Sequence, residues 1–477
     1  MPPRVVHVTP PDAIADGVEA IRVELGLPAA FPPDALAEAD RVAASASTPA
    51  PAFPVAAGPA TATAHPLLDL PFATIDPPGS MDLDQAMHLA RRPGGGYRVS
   101  YAIADVGAFL ATGDAIDREA HARAVTTYLP DRRIPLHPPA LSEGGASLLP
   151  GVDRPAFVWQ LDLDADGALV ATELRRATVR SVARLDYDSV DGELRTLLQE
   201  VGERRIAIEQ ARGGVSLRVP EQEVSRTDAG WSIAYRAARP TEDWNAQISL
   251  LTGIAAADLM VRAGVGLLRT QPAPDEKALR RLRAASVALG APWPDGVSYP
   301  QWIRTLDPAV PAHAALLHQA AGAGRGAGYT AFDGQAPDAA DALHFAIAAP
   351  YAHVTAPLRR LADRYVLELC AALAAGVDPP PDVRPALPVL PAEMAAGTQR
   401  ANRAERAAID LVETVLLAGR VGERFPAVAI DDDLVQLTAP AVRTRIPGAQ
   451  LTVGTAVELT LEAADVATRT LTFAVAA

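Results

Sequence analysis

The stretch "TIDPPGSMDLDQA", residues 74–86, holds three carboxylates close together: Asp76, Asp82 and Asp84. Two unit charges 4 Å apart repel by about 4 kcal/mol at an effective dielectric near 20, so acids that converge need a compensating cation. Hard divalent ions provide one. Magnesium commonly takes one or two carboxylates and completes its shell with water and substrate phosphates. Pro77, Pro78 and Gly79 mark a turn between Asp76 and the Asp82/Asp84 pair, and on an extended segment residues two apart point the same way. The spacing suits a metal site, with a solvated acidic turn as the plain alternative. A calcium loop of the EF-hand type fails, because its glycine and glutamate positions, counted from Asp82, hold Met87 and Pro93.

A second stretch, "YAHVTAPLRRLADRY" (351–365), carries paired arginines. Pro357 suits the first turn of a helix whose apolar face is Leu358, Leu361, Ala362, Tyr365 and Leu369. Arg359 and Arg360 then fall in that first turn, where the macrodipole disfavours cations. Free backbone N–H groups and two guanidiniums would instead welcome an anion. Pairing of Arg359 with Asp363, four residues on, is the local alternative. Signatures of other chemistries are missing: there is no G-x-x-x-x-G-K-[ST], H-E-x-x-H, G-x-S-x-G or C-x-x-C. "GAGRGA" (322–327) follows a helical pattern rather than a strand and reads as a loop.

These residues need elements to hold them. At 477 residues the chain suits two or three domains. Residues 1 to about 45 show helical spacing in two short segments, one of them with Ile14, Val18, Ile21 and Leu25, so a helix-turn-helix is possible. Residues 47–66 are rich in Pro, Ala and Thr, as a linker would be. From about 68 to 180 the pattern is β-rich, from 200 to 420 helical, and from 421 to 477 again β, in short strands suited to a small oligonucleotide-binding barrel. The expected division is a helical unit and linker over 1–66, a mixed α/β domain with trailing helices over 67–420, and the barrel over 421–477.

Net charge is −14, from 43 basic and 57 acidic residues, which argues against nonspecific coating of nucleic acid but not against a local basic channel. Lys277 is the single lysine, so the cationic side chains are otherwise arginines, the better fork for phosphate. One cysteine, Cys370, forbids an internal disulfide and suits a reducing cytoplasm. The apolar runs fall short of a membrane span, so neither a membrane nor a stable protein partner is expected.

Taken together, the motifs resemble the ribonuclease II family, whose catalytic domain is called RNB, over roughly residues 68–375. "TIDPPGSMDLDQA" matches its acidic motif, "YAIADV" (101–106) its following strand, "TTYLPDRRIPLHPPALSEGGASLLP" (126–150) its tyrosine-bearing segment, and "YAHVTAPLRR" its arginine element. The resemblance implies a processive 3′→5′ exoribonuclease that hydrolyses single-stranded RNA to nucleoside 5′-monophosphates by a two-metal mechanism. Mg²⁺, with Mn²⁺ as the alternative, would be its cofactor. It implies a mixed α/β RNB domain followed by an S1-like barrel. Residue by residue, Asp76, Asp82 and Asp84 become metal carboxylates, with Asp82 and Asp84 catalytic. Arg359 faces the scissile phosphate, and Tyr128 and Tyr187 line the RNA path. Glu242 and Glu405 match glutamates of the substrate path.

Three departures stand out. The family carries a fourth aspartate where this chain has Gln85, and an aromatic clamp where this chain has Leu217. Residues 1–66 are too short and too helical for the paired cold-shock barrels of larger members. Gln85 is expected to turn its amide toward Asp84, and a weakly catalytic RNA-binding protein is the rival reading.

Overall fold

The computed structural model describes residues 11–46, 66–217, 219, 221–227, 230–236 and 238–476. The expected linker, 47–66, falls almost wholly outside them. Two helices open the chain, α1 (Pro11–Glu24) and α2 (Pro33–Ala46), as the helical spacing predicts. Ile14, Val18 and Ile21 of α1 are fully buried against the long helix described below, and Ala39 of α2 joins a second core.

The strands β1 (Phe72–Ile75), β2 (Gln85–Arg91) and β3 (Tyr97–Ala104) come next, followed by helix α3 (Ala115–Arg123) and a two-residue-per-strand hairpin, β4 (Thr127–Tyr128) and β5 (Arg133–Ile134). Then come β6 (Asp153–Leu163) and β7 (Leu169–Leu185). Strands β1, β2, β3, β6 and β7 close into a barrel: neighbours are antiparallel except β7, which returns parallel to β1. Side-chain alternation splits β3 between two cores. Tyr97, Val99, Tyr101 and Ile103 join the core that includes the helices α4 (Gly192–Ala211) and α5 (Pro240–Ala263). Ala102 and Ala104 join Ala86, Ala156, Val158 and Ala177 in the other, whose small residues suit a tight interior.

The helical stretch is less uniform than its periodicity suggests. A hairpin, β8 (Glu221–Thr227) with β9 (Gly230–Arg236), separates α4 from α5. Strand β10 (Val265–Thr270) pairs with β11 (Gly328–Asp333) across α6 (Glu276–Ala288), α7 (Tyr299–Ile303) and α8 (Pro311–Ala323). Two short strands, β12 (Leu343–His344) and β13 (Ala349–Pro350), lead to α9 (Leu361–Ala375), α10 (Val383–Ala386) and α11 (Leu390–Leu417). Helix α5 has the length and hydropathy to cross a membrane, yet Trp244, Ile248, Leu251, Ala255 and Met260 bury it in the main core.

The C-terminal strands are β14 (Arg424–Ala429), β15 (Leu434–Leu437), β16 (Arg443–Arg445), β17 (Ala456–Asp465) and β18 (Thr470–Val475), in the order β16-β15-β14-β17-β18. Phe425, Leu459, Leu461 and Phe473 give this sheet a core of its own. Its alternating burial along β14 and β15 is the pattern of strands with one dry face.

Candidate active site

The acidic stretch is the connection from β1 to β2 and crosses the rim of the barrel. Gly79, at φ +84°, takes a conformation that favours glycine, and Ser80 N–H closes the turn on Pro77 O at 3.2 Å. Ser147 clamps the far side: it accepts from Leu83 N–H at 3.0 Å and donates to Met81 O at 2.7 Å. Leu148 N–H adds a bond to Leu83 O at 3.0 Å. Ser147 carries no signal of its own in the sequence beyond lying in the matched 126–150 segment.

Asp84 is fully buried. Its Oδ1 accepts from Leu358 N–H at 2.7 Å, and its Oδ2 lies 3.5 Å from Arg359 Nη1 with no hydrogen-bond partner. Burial pushes its carboxyl up to about 7 against the opposing pull of Arg359. Asp76, at the end of β1, is also buried with Oδ2 unpaired, and burial raises it to about 6. Buried acceptors without partners are rare and costly, and carboxylates without a cation are costlier still. Asp82 differs: Arg133 Nη1 donates to its Oδ1 at 2.6 Å. Its charge raises both Asp76 and Asp84, so the three acids share one electrostatic neighbourhood.

The arginine element departs from expectation. Helix α9 begins at Leu361, with Arg360 as an extended N-cap, so neither arginine sits in its first turn. Tertiary pairing decides this: Val125 and Arg360 form a β-bridge, and Thr126 N–H and Leu361 N–H bond Arg359 O and Ala124 O. The two arginines point to different tasks. Arg360, not Arg359, pairs with buried Asp363, at 2.8 and 3.0 Å. Arg359 is left facing Asp84 with its side chain 37% exposed.

Gln85 does not turn toward Asp84. As the first residue of β2 it lies on the face of Met87 and Tyr101, where its amide oxygen accepts from the Tyr101 hydroxyl and from Ser249 Oγ of α5 at 3.4 Å. Strand alternation turns it that way.

Tyr128 is 44% exposed, and its hydroxyl is raised to about 12 by burial and by the charges of Asp82 and Asp84. Tyr187 is half-buried and raised by burial, then by Asp76 and Glu242. Asn245 of α5 lies beside the Tyr187 hydroxyl and leaves its own buried Oδ1 unpaired. Glu242 accepts from Arg236 Nη1 at 2.7 Å and from Arg239 N–H at 3.4 Å, so it caps α5 as well as neighbouring Tyr187. Glu405, half-buried on α11 and raised by burial, has no hydrogen bond or ion pair to the three acids among the described residues. Leu217 packs against the cluster of Trp293, Tyr299 and Trp302. A cavity of about 750 Å³ is lined by Arg269, Tyr329, Arg403, Arg406 and Arg469. Tyr329 shares a 2.7 Å hydrogen bond with His353, which ties the cavity wall to the segment ending in Arg359.

Among the described residues, no three His, Cys, Asp or Glu side chains are grouped to hold an ion by themselves. Two orphaned carboxylate oxygens still fit a hard cation that takes its other ligands from water and substrate. Barrel, buried acids and half-open arginine together have the chemistry of a site for a cation bridged to a phosphate.

Comparison with known proteins gives that class a family. The RNB domain matches residues 65–375, and the RNase II-type exonuclease C-terminal S1 domain matches 423–476. The chain belongs to the RNB family, that of the ribonuclease II, ribonuclease R and DIS3 exoribonucleases. It is 29% identical over 367 residues to the exosome complex exonuclease RRP44 homolog A of Arabidopsis thaliana, a match covering 71% of this chain and 38% of that protein. Ribonuclease R of Mycoplasma genitalium, solved with ribose-methylated single-stranded RNA, shares the fold at a TM-score of 0.83 and 20% identity, over 98% of this chain and 78% of that one. Yeast Ssd1, described as a pseudonuclease, shares it at 0.66 and 17% identity, over 90% of this chain and 57% of that one.

Proposed function

We propose that this chain is an active, processive 3′→5′ exoribonuclease that hydrolyses single-stranded RNA to nucleoside 5′-monophosphates with Mg²⁺, Mn²⁺ serving in its place. The observation that carries this reading is Asp84: fully buried, anchored by Leu358 N–H, with its second oxygen unpaired beside Arg359. Asp76 and Asp84 would hold the metal, which when bound supplies a nucleophile from water at neutral pH and stabilises developing charge. Asp82 is the third carboxylate of the motif, engaged by Arg133 at 2.6 Å. Leu358 N–H fixes the plane of the Asp84 carboxyl. Arg359, part-exposed, reaches a phosphate oxygen where charge grows in the transition state. Tyr128 and Tyr187 offer faces and edges to unpaired bases, and Asn245 Oδ1 is an acceptor suited to a ribose hydroxyl. Glu242 and Glu405 are assigned to the same path by their match to family glutamates. The arginines of the 750 Å³ cavity grip the backbone in an otherwise acidic chain. The two-ion form of the reaction needs a ligand beyond Asp76 and Asp84, and within the motif that means Asp82. The lone, buried Cys370 suits a cytoplasmic setting.

The rival, an RNA-binding protein without turnover, is favoured by the neutral Gln85. One assay separates them. Labelled single-stranded RNA and DNA are incubated with Mg²⁺, Mn²⁺ or EDTA and the products identified. Nucleoside 5′-monophosphates from RNA, suppressed by EDTA, are expected. RNA bound but uncut at every metal concentration would establish the rival.

A further inference from the structure

The acidic motif is not left to metal alone, because a guanidinium already sits on it. Arg133 Nη1 holds Asp82 Oδ1 at 2.6 Å, while Nη2 holds Glu143 Oε1 at 2.7 Å. The fork is placed by two local devices. In the β4–β5 hairpin Tyr128 and Arg133 are directly paired, so their side chains leave the same face, and the buried flanks Leu129 and Ile134 fix the hairpin into the core shared by α1 and α11. Glu143 stands on a π-helical turn, Leu141–Gly145, pinned by Ser142 Oγ donating to His137 O at 3.2 Å. Such turns are uncommon and concentrate at functional sites.

Resting on the reading of this site as a metal-assisted ribonuclease, we propose that Arg133 is a resident cation that neutralises Asp82 in place of a second divalent ion, so that the site takes up a single Mg²⁺ at Asp76 and Asp84. Three observations converge on this. The orphaned buried oxygens belong to Asp76 and Asp84, whereas Asp82 is already paired. Gln85, which contributes no charge, turns to Tyr101 and Ser249 and so supplies no ligand toward Asp84. The local charges also favour a single ion. Asp76, Asp82, Asp84 and Glu143 face Arg133 and Arg359, and Arg184 acts on Asp76, so one negative charge is left over. One divalent ion already more than offsets it, and a second would leave the site strongly positive. Arginine suits the task because it stays charged at any working pH and its planar fork spans two carboxylates at once. Side-chain exposures of 27% for Arg133 and 12% for Asp82 keep the pair partly shielded from solvent, where a guanidinium–carboxylate contact is stronger than on an open surface.

The probe is Mn²⁺ alone, added to the full chain without RNA, with free ion counted by electron paramagnetic resonance. The natural chain is expected to bind one Mn²⁺ per molecule at this site. Arg133→Gln should bind two, and Arg133→Lys, which keeps the charge, should still bind one. Two ions in the natural chain, or one in a folded Arg133→Gln, would overturn the assignment. Should Arg133→Gln not fold, Glu143→Gln gives an independent reading. It leaves the guanidinium wholly to Asp82 and removes one negative charge from the site, so Mn²⁺ affinity should drop several-fold, and an unchanged affinity counts against Arg133. Asp84→Asn separates this inference from its foundation. Mn²⁺ binding that survives Asp84→Asn would sink the metal reading of the site itself, whereas Asp84-dependent binding with an unaltered count in Arg133→Gln would sink the role of Arg133 alone.

Discussion

Two clusters of buried charge meet the same strand and helix, β3 and α9, and they are built on opposite terms. In one, Arg176 links Asp105, just past the end of β3, to Glu368 of α9, and Arg364 of α9 holds Asp117 of α3. Asp105, Asp117, Arg364 and Glu368 are each less than a tenth exposed, and each acid has its guanidinium. In the other, Asp76 and Asp84 are comparably buried, yet each keeps an unpaired oxygen, and the half-open Arg359 acts on both without forming a hydrogen bond to either. Balanced charge locks elements together. Charge left unbalanced at comparable burial is a cost to the fold, and it marks the place where a ligand must complete the account.

Removing one charge from each cluster should show the contrast at its largest. Asp84→Asn is expected to cut RNA hydrolysis by about a thousandfold or more while leaving RNA affinity nearly intact and not lowering urea stability, because it removes a buried charge that costs the metal-free fold yet keeps an acceptor for Leu358 N–H. Arg364→Leu should do the reverse and lower stability by about 3–5 kcal/mol in urea unfolding, since it strands the buried Asp117 charge without its guanidinium, leaving only the Gly113 N–H bonded to it. Equal losses of stability in the two variants would erase the distinction.

pH sharpens the same contrast. Asp76 and Asp84 titrate at about 6 and about 7 in the fold against 3.8 for the ordinary side chain, so the native state holds more protons than the unfolded state between those limits. Their contribution is therefore most favourable below about pH 4 and is lost as pH rises toward 7. For Asp84 the upper bound is about 4 kcal/mol. Metal-free protein unfolded in urea across this range should show that decline, Asp84→Asn should show less of it, and Mg²⁺ should relieve it at neutral pH. A pH profile identical in Asp84→Asn would remove Asp84 as its source. The smallest effect is expected from Tyr128→Ala: RNA affinity weakened by about 1–3 kcal/mol, the worth of one stacked base, with no change in the Mn²⁺ count.

Much of this was legible in the chain and some was not. The D-x-D spacing, the paired arginines and the short strands of the tail announce themselves because each is local. The start of α9 misleads, since Pro357 is a good first-turn residue but pairing of 359–361 with 124–126 holds the backbone extended there. The partners of the acidic stretch were beyond reach for a different reason. Ser147, Arg133 and Leu358 stand 64, 51 and 274 residues from the atoms they hold. Nothing in a periodicity or a propensity encodes such meetings; the closure of the barrel and the docking of α9 make them. The Gln85 amide illustrates the same point, since its orientation is set by Tyr101 across the ladder and Ser249 on α5 rather than by its acidic neighbours.

The bond from Leu358 N–H to Asp84, spanning 274 positions, also bears on when this protein acquires its chemistry during synthesis. A nascent chain carries all three aspartates, and every strand of the barrel up to Leu185, long before residue 358 is made. Until then Asp84 has neither its backbone anchor nor its guanidinium neighbour. The acids are translated early and the arginine late, so a growing or prematurely terminated polypeptide cannot assemble this centre.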